Sequence, residues 1–292
     1  IPEVTPLAGG FWSAAFAYRW AGKELVIRFN ANPEGFEIDR AAHDFAMAGL
    51  PVPEVLETGT ALGCCFAISR RHHGQFLELV EPGAAPALAG AIGDLLGKMR
   101  RVPRREKVQW YAEDSHLSWH QYLLETIKPD TNRARKDFLA ALAERPALDG
   151  LYNAARERIR DLLAYCPERR DLIHGDLLHQ NVLVSGNAEE ITAVFSWKCS
   201  AFGDFVYDVA WCTHWAPWHP GIAAIDVFGL TIDADDLNES DRRHISERHH
   251  CYELQIAASH IGWYLWTQDE ENLALLADGL SERLSRGPLT VG

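Results

Sequence analysis

Asp176 and Asn181 are a carboxylate and an amide with four residues between them. They sit on a short polar stretch, His174 to Asn181, flanked by the apolar runs Leu172-Ile173 and Val182-Leu183-Val184. Asp-x-x-x-x-Asn suits phosphoryl transfer: the Asp takes the proton of an attacking hydroxyl, and the Asn side-chain oxygen holds a magnesium ion on nucleotide phosphates. Both groups must reach one point in space, and a turn between two buried strands fixes them better than a free loop. An ordinary hairpin with an Asx turn would give the same bare pattern, so the neighbouring stretches decide.

Those stretches are Ile191-Thr192-Ala193-Val194-Phe195-Ser196-Trp197 and Phe202-Gly203-Asp204-Phe205-Val206-Tyr207-Asp208. With His-Gly-Asp at 174–176, they resemble the aminoglycoside phosphotransferase family, and within it the hygromycin B phosphotransferases. The resemblance implies an α+β, bilobal protein-kinase-like fold. Residues 1–71 would form a nucleotide-binding lobe built on a small antiparallel sheet. Residues 72–292 would form a mostly helical lobe for catalysis and substrate binding.

One departure stands out. The family strand after the catalytic loop ends in Asp-Trp, that Asp being the second magnesium ligand; here the pair is Ser196-Trp197. A neutral hydroxyl replaces a carboxylate where a hard cation favours charged oxygen. Asn181 and Ser196 are therefore the expected metal positions, with one ligand weakened.

The elements that must position these groups are legible in part. Alternating apolar residues on either side of Ala21-Gly22-Lys23 predict a hairpin. Before it, Gly9-Gly10 would let backbone amides approach phosphate, and Ser13 adds a hydroxyl. Ser13-Ala14-Ala15-Phe16 also matches a Ser-x-Ala-Phe loop of the hygromycin enzymes. Arg28 lies within the strand Leu25 to Asn30 and is expected to clamp phosphates where kinases use lysine. The resemblance places an acidic partner on the following helical stretch, 34 to 48; Asp39 fits best, with Glu37 the alternative. Cys64 to Arg71 reads as a strand running into a hinge at His72-His73-Gly74, and Ala67, Ile68, Ser69 and Arg70 are expected to hold the base of ATP or GTP.

Further along, Leu88, Ile92, Leu95, Leu96 and Met99 share one helical face, and helices are expected over 119–127, 151–165 and 253–284. The stretch 222–243 reads as a loop or short helix. Asp204 and Asp208 could ligate metal, although their counterparts in the resemblance are structural. Trp211, Trp215 and Trp218, with His214 and His219, are either core packing or a wall for sugar rings, and Trp211 is the one carried forward as a substrate contact. Glu270 and Glu271 would receive substrate ammonium groups, or simply favour a helix N-terminus.

Composition sets outer bounds. With 41 acidic and 28 basic residues the 292-residue chain carries a formal charge of -13, which disfavours nucleic acid and anionic lipid as partners. It is compatible with a cationic small substrate, or with solubility alone. Six cysteines without zinc-like spacing suit reduced core thiols. With no run of eighteen apolar residues and no leader, a cytoplasmic monomer is expected. The expected function is ATP- and Mg2+-dependent transfer of a phosphoryl group to a hydroxyl of an aminoglycoside or similar molecule, with Asp176 also contacting that hydroxyl. Ser196 supports a different reading, a non-catalytic nucleotide-binding or small-molecule-binding homologue. A metabolite kinase of the choline or homoserine type is the third.

Overall fold

The computed structural model describes residues 3–8, 10–112, 117–128 and 137–290. Among them are ten strands: β1 (Val4–Leu7), β2 (Ala14–Trp20), β3 (Lys23–Asn30), β4 (Val55–Ala61), β5 (Cys64–Arg70), β6 (Gln75–Phe76), β7 (Asp171–Ile173), β8 (Val182–Val184), β9 (Ile191–Val194) and β10 (Ala201–Gly203). Contacts group the chain into two compact units. One is Ile1–Val102, His174–Ser200 and Trp215–Leu230; the other is Pro103–Ile173, Ala201–His214 and Thr231–Gly292.

The first unit is built on a five-stranded antiparallel sheet in the order β1-β2-β3-β5-β4. The expected hairpin closes at Ala21 and Gly22, whose φ values of 50° and 77° give the primed turn that matches strand twist. Arg28 faces Ala15 on β2 and Ala67 on β5. Two methyl-sized neighbours leave room for a guanidinium on that face of the sheet.

The helical pattern over 34–48 resolves into an α-helix, Glu34–Ala42, and a 3-10 turn, His43–Ala48, stopped by Gly49 at φ 82°. A left-handed glycine is the common end of a helix, and Pro51 and Pro53 prevent its renewal. The helix buries Phe36, Ile38, Asp39 and Ala42, and Phe36 packs with Val55 and Ala67 in the core. The helix Ala89–Arg101 buries Ile92, Leu95 and Met99 and carries Lys98, Arg100 and Arg101 in its last turn, where the helix dipole favours cations. A smaller sheet in the order β6-β8-β9 completes the unit.

In the second unit, β7 pairs with β10, and the helices Pro146–Leu162, Ile245–Thr267 and Glu270–Arg286 pack on one another. The 222–243 stretch includes two short helices, Val227–Ile232 and Glu239–Arg242. Asp204 is fully buried and committed to structure. It accepts from Arg248 Nε at 2.7 Å and from the Tyr252 hydroxyl at 2.7 Å, so the metal role considered for it does not hold. Removing one partner of a buried pair strands the other without solvent. Asp204→Ala is therefore expected to lower the unfolding free energy by about 3–5 kcal/mol, read from urea transitions; a loss under about 1 kcal/mol would contradict this account.

The Asp176 turn is not that of an ordinary hairpin: β7 pairs with β10, while β8 pairs with β6 and β9. Among the described residues, no helix is long and apolar enough to cross a membrane, and the six cysteines are unbridged.

Candidate active site

The turn after β7 is ordered by its own polar groups. The Asp176 backbone N–H donates to His174 Nδ1 at 3.2 Å, which leaves His174 Nε2 to carry the proton that meets Phe195 O at 2.7 Å. Between them Gly175 has φ 71°, and a Cβ there would lie 2.7 Å from the Cys199 carbonyl oxygen. Only glycine satisfies both the left-handed backbone and that close approach.

Asn181 folds back over the same turn. Its Nδ2 donates to the Asp176 carbonyl at 2.8 Å, a bond that does not use its Oδ1, and its own carbonyl accepts from Phe195 N–H at 2.8 Å. The second contact sets Ser196 beside Asn181. Ser196 has φ 61° and ψ 58°, a left-handed conformation in which Asp and Asn are enriched among residues bearing a Cβ. The backbone at 196 thus suits the carboxylate that the sequence lacks.

The line continues to the sheet. Trp197 N–H donates to Asp39 Oδ1 at 2.8 Å, and Asp39 Oδ2 pairs with Arg28 at 2.9 Å. Asp39, not the exposed Glu37, is the partner of Arg28. The guanidinium also lies 5.2 Å from the Phe36 ring centroid, a cation–π distance. Because Asp39 serves two donors in a nearly closed space, Asp39→Ala is expected to cost about 3 kcal/mol of stability; a urea midpoint unchanged from the parent would refute the double role.

Asp176, Asn181, Ser196, Asp39 and Arg28 therefore form one connected set. Other expected residues stand apart or are spent. Ser13 is half-buried and its backbone closes on Gly10, whose φ is 79°; Gly9 lies outside the described residues. Arg71 N–H donates to Glu24 O at 3.0 Å. Bonded pairs alternate along an antiparallel ladder, so Ala67 and Ser69 turn their backbone groups to β3, while Ile68 turns its own toward β4. Those three are built into the sheet and cannot hold a base through the backbone, which corrects the expectation. Arg70 lies past the start of β4, which begins opposite Ser69, and its side chain meets Glu54 at 3.4 Å.

Trp211 is also corrected as a substrate contact. It is 2% exposed and lies 5.4 Å from the His260 ring and 6.5 Å from the Tyr207 ring, centroid to centroid, so it is packing. Glu270 pairs with Arg145 at 2.7 Å, while Glu271 is exposed. The cap of their helix is Asp269, which accepts from Asn272 N–H at 3.1 Å. Asp208 is buried, 1% exposed. Among the described residues no three His, Cys, Asp or Glu side chains cluster as a metal site.

Two further residues, His179 and Glu78, meet at the turn. His179 Nδ1 lies 2.7 Å from Asp176 Oδ1. Partial burial opposes a charge on this imidazole, but the hydrogen bond and the charges of Asp176 and Glu78 outweigh it and raise its pKa. Glu78 reaches the turn from the segment after β6 and accepts the Gln180 N–H. Burial pushes its carboxyl above the usual range. His179 could have been suspected from its place three residues after Asp176; nothing in sequence pointed to Glu78.

A family model described as the phosphotransferase enzyme family matches residues 3–235. The chain belongs to that family. Of curated proteins, hygromycin-B 4-O-kinase of Escherichia coli is 28% identical to this phosphotransferase-family chain over 266 residues, 82% of this chain and 75% of the relative. Of solved structures, a ternary complex of aminoglycoside phosphotransferase APH(4)-Ia with AMP-PNP and hygromycin B superposes with TM-score 0.78 at 23% identity, covering 97% of this chain and 93% of that one. Spectinomycin phosphotransferase APH(9)-Ia, in complex with ADP and spectinomycin, gives 0.57 at 15% identity, covering 96% and 88%. The fold is thus the expected α+β, kinase-like one, with an antiparallel sheet in the N-terminal part and helices in the C-terminal part.

Proposed function

We propose that this family member transfers the γ-phosphate of ATP to a hydroxyl of an aminoglycoside or a similar cationic small molecule, as a cytoplasmic monomer. Residues 1–71 serve the nucleotide, and the remainder carries catalysis and the acceptor. The observation that carries the reading is the pairing of Asp176 and Asn181 on one turn, the amide held to the Asp176 carbonyl at 2.8 Å. The similarity to hygromycin-B 4-O-kinase supports the acceptor class.

Asp176 takes the proton of the acceptor hydroxyl and aligns its oxygen for attack. Arg28, held by Asp39, faces the phosphates, with Ser13 and the loop before it covering them; the base sits along Arg70 to His73. An amide oxygen and a hydroxyl, Asn181 Oδ1 and Ser196 Oγ, fit a magnesium ion only if it brings phosphate oxygens as its charged ligands. Magnesium bound there would neutralise charge on the transferring group. Positioning and charge account for the chemistry, since phosphoryl transfer asks little covalent work of a protein.

The neutral residue at 196 also favours a second reading, a protein that binds nucleotide and a small ligand without turnover. Product mass spectrometry with Mg2+ and ATP or GTP separates the two. Hygromycin B and other aminoglycosides form one arm, choline and homoserine the other. A product 80 mass units heavier in the first arm, the mass about that of one phosphoryl group, supports the proposal. Product only in the second arm makes it a metabolite kinase, and nucleotide binding with no product in either makes it a binder.

A further inference from the structure

His179 and Gln180 are consecutive residues with φ of 61° and 67°. Most side chains bearing a Cβ are disfavoured there, glutamine more than histidine, and glycine would close such a turn with the least strain. The strained pair achieves an orientation. With residue 179 left-handed, its imidazole lies back over the turn and Nδ1 reaches Asp176 Oδ1 at 2.7 Å.

The imidazole is also held from outside the turn. The Trp215 ring meets it edge to face with centroids 4.8 Å apart, and the His219 ring lies 6.0 Å away. Gln180 N–H is accepted by Glu78, which pins the backbone immediately after His179. The two oxygens of Asp176 are consequently unequal: Oδ1 is engaged by His179, and Oδ2 lies outside that bond. The terminal torsion of aspartate is soft, so the bond removes a rotation that would spread the attacking geometry.

We infer that His179 is a positioning residue for Asp176, its Nδ1–H holding one carboxylate oxygen so that the other is presented to the acceptor hydroxyl. Its effect on turnover rests on the phosphotransfer proposal; the orientation of Asp176 does not.

Two variants isolate the bond from the strain. His179→Asn keeps a side-chain N–H the same number of bonds from the backbone as Nδ1 and accepts a left-handed backbone. His179→Gly relieves the backbone and removes the donor. The Gly variant is expected to melt no lower than the parent, to lose about 10²-fold in kcat, and to keep its nucleotide KM. The Asn variant is expected to recover most of that loss. A Gly variant as active as the parent, or an Asn variant as impaired as Gly, overturns the inference. Crystal structures of parent and Gly variant decide it even for a chain that transfers nothing. An Asp176 carboxylate that keeps its rotamer without His179 sinks the inference, whereas absence of phosphorylated product from the parent sinks only the phosphotransfer proposal.

Discussion

Asp176→Asn is expected to lower turnover by about 10²- to 10⁴-fold, the range that a positioned proton acceptor supplies. Nucleotide affinity should stay within about twofold, because a loss confined to the transition state leaves ground-state binding alone. The substitution is a fair probe of chemistry because the fold does not rest on the carboxylate. The turn is held through the Asp176 backbone, which donates to His174 Nδ1 and accepts from Asn181 Nδ2. An asparagine keeps both contacts and retains a side-chain oxygen for His179, losing only the capacity to take a proton. Rapid-quench measurement with saturating Mg2+ and ATP reads the step directly. Undiminished product formation would remove Asp176 from the mechanism.

Ser196→Asp is expected to act in the opposite direction, raising turnover by about 10²- to 10³-fold if one charged metal contact is worth several kcal/mol in the transition state. Three observations favour a gain without a penalty in stability. The backbone at 196 is left-handed at φ 61° and ψ 58°, where aspartate is more at ease than serine. The position is half-buried, not closed, so a carboxylate retains some hydration when no cation is present. Phe195 and Trp197 on either side are fixed by bonds to Asn181 and Asp39, so a new side chain enters a set geometry. Titration of turnover against Mg2+ should show half-saturation moving to lower concentration. Equal turnover in both forms would mean that the metal does not need a carboxylate here.

How much of this was legible depended on distance along the chain. Asp176 and Asn181 fall within one turn, so their spacing carried their geometry. Arg28 and Asp39 are farther apart; the family resemblance narrowed the acidic partner to Asp39 or Glu37, and the 2.9 Å ion pair with Asp39 decided it. The base-holding role of Ala67 to Ser69 was misjudged because an apolar strand looks the same in sequence at an edge or in the interior, and β5 proved to be flanked on both sides. Trp211 was misjudged for a related reason. Nearly the whole of its helix, Val206–Trp215, is buried, and a helix apolar all round has no periodicity to mark an open face. Glu78 meets Gln180 across 102 residues, a contact that only the path of the chain could create.

His179, Gln180 and Ser196 are all left-handed, and none of them is glycine, the residue that relieves this backbone most. A library of this protein selected for heat resistance alone would therefore be drawn to these three positions, exchanging them for glycine, asparagine or aspartate. Such a screen would reach the reaction centre along with Ala21, Leu62, Ala188, His244 and Gln268, which share the left-handed backbone. Clones would have to be assayed for catalysis at every round, because at 196 tolerance to heat and chemical competence should rise together, and at 179 they should part.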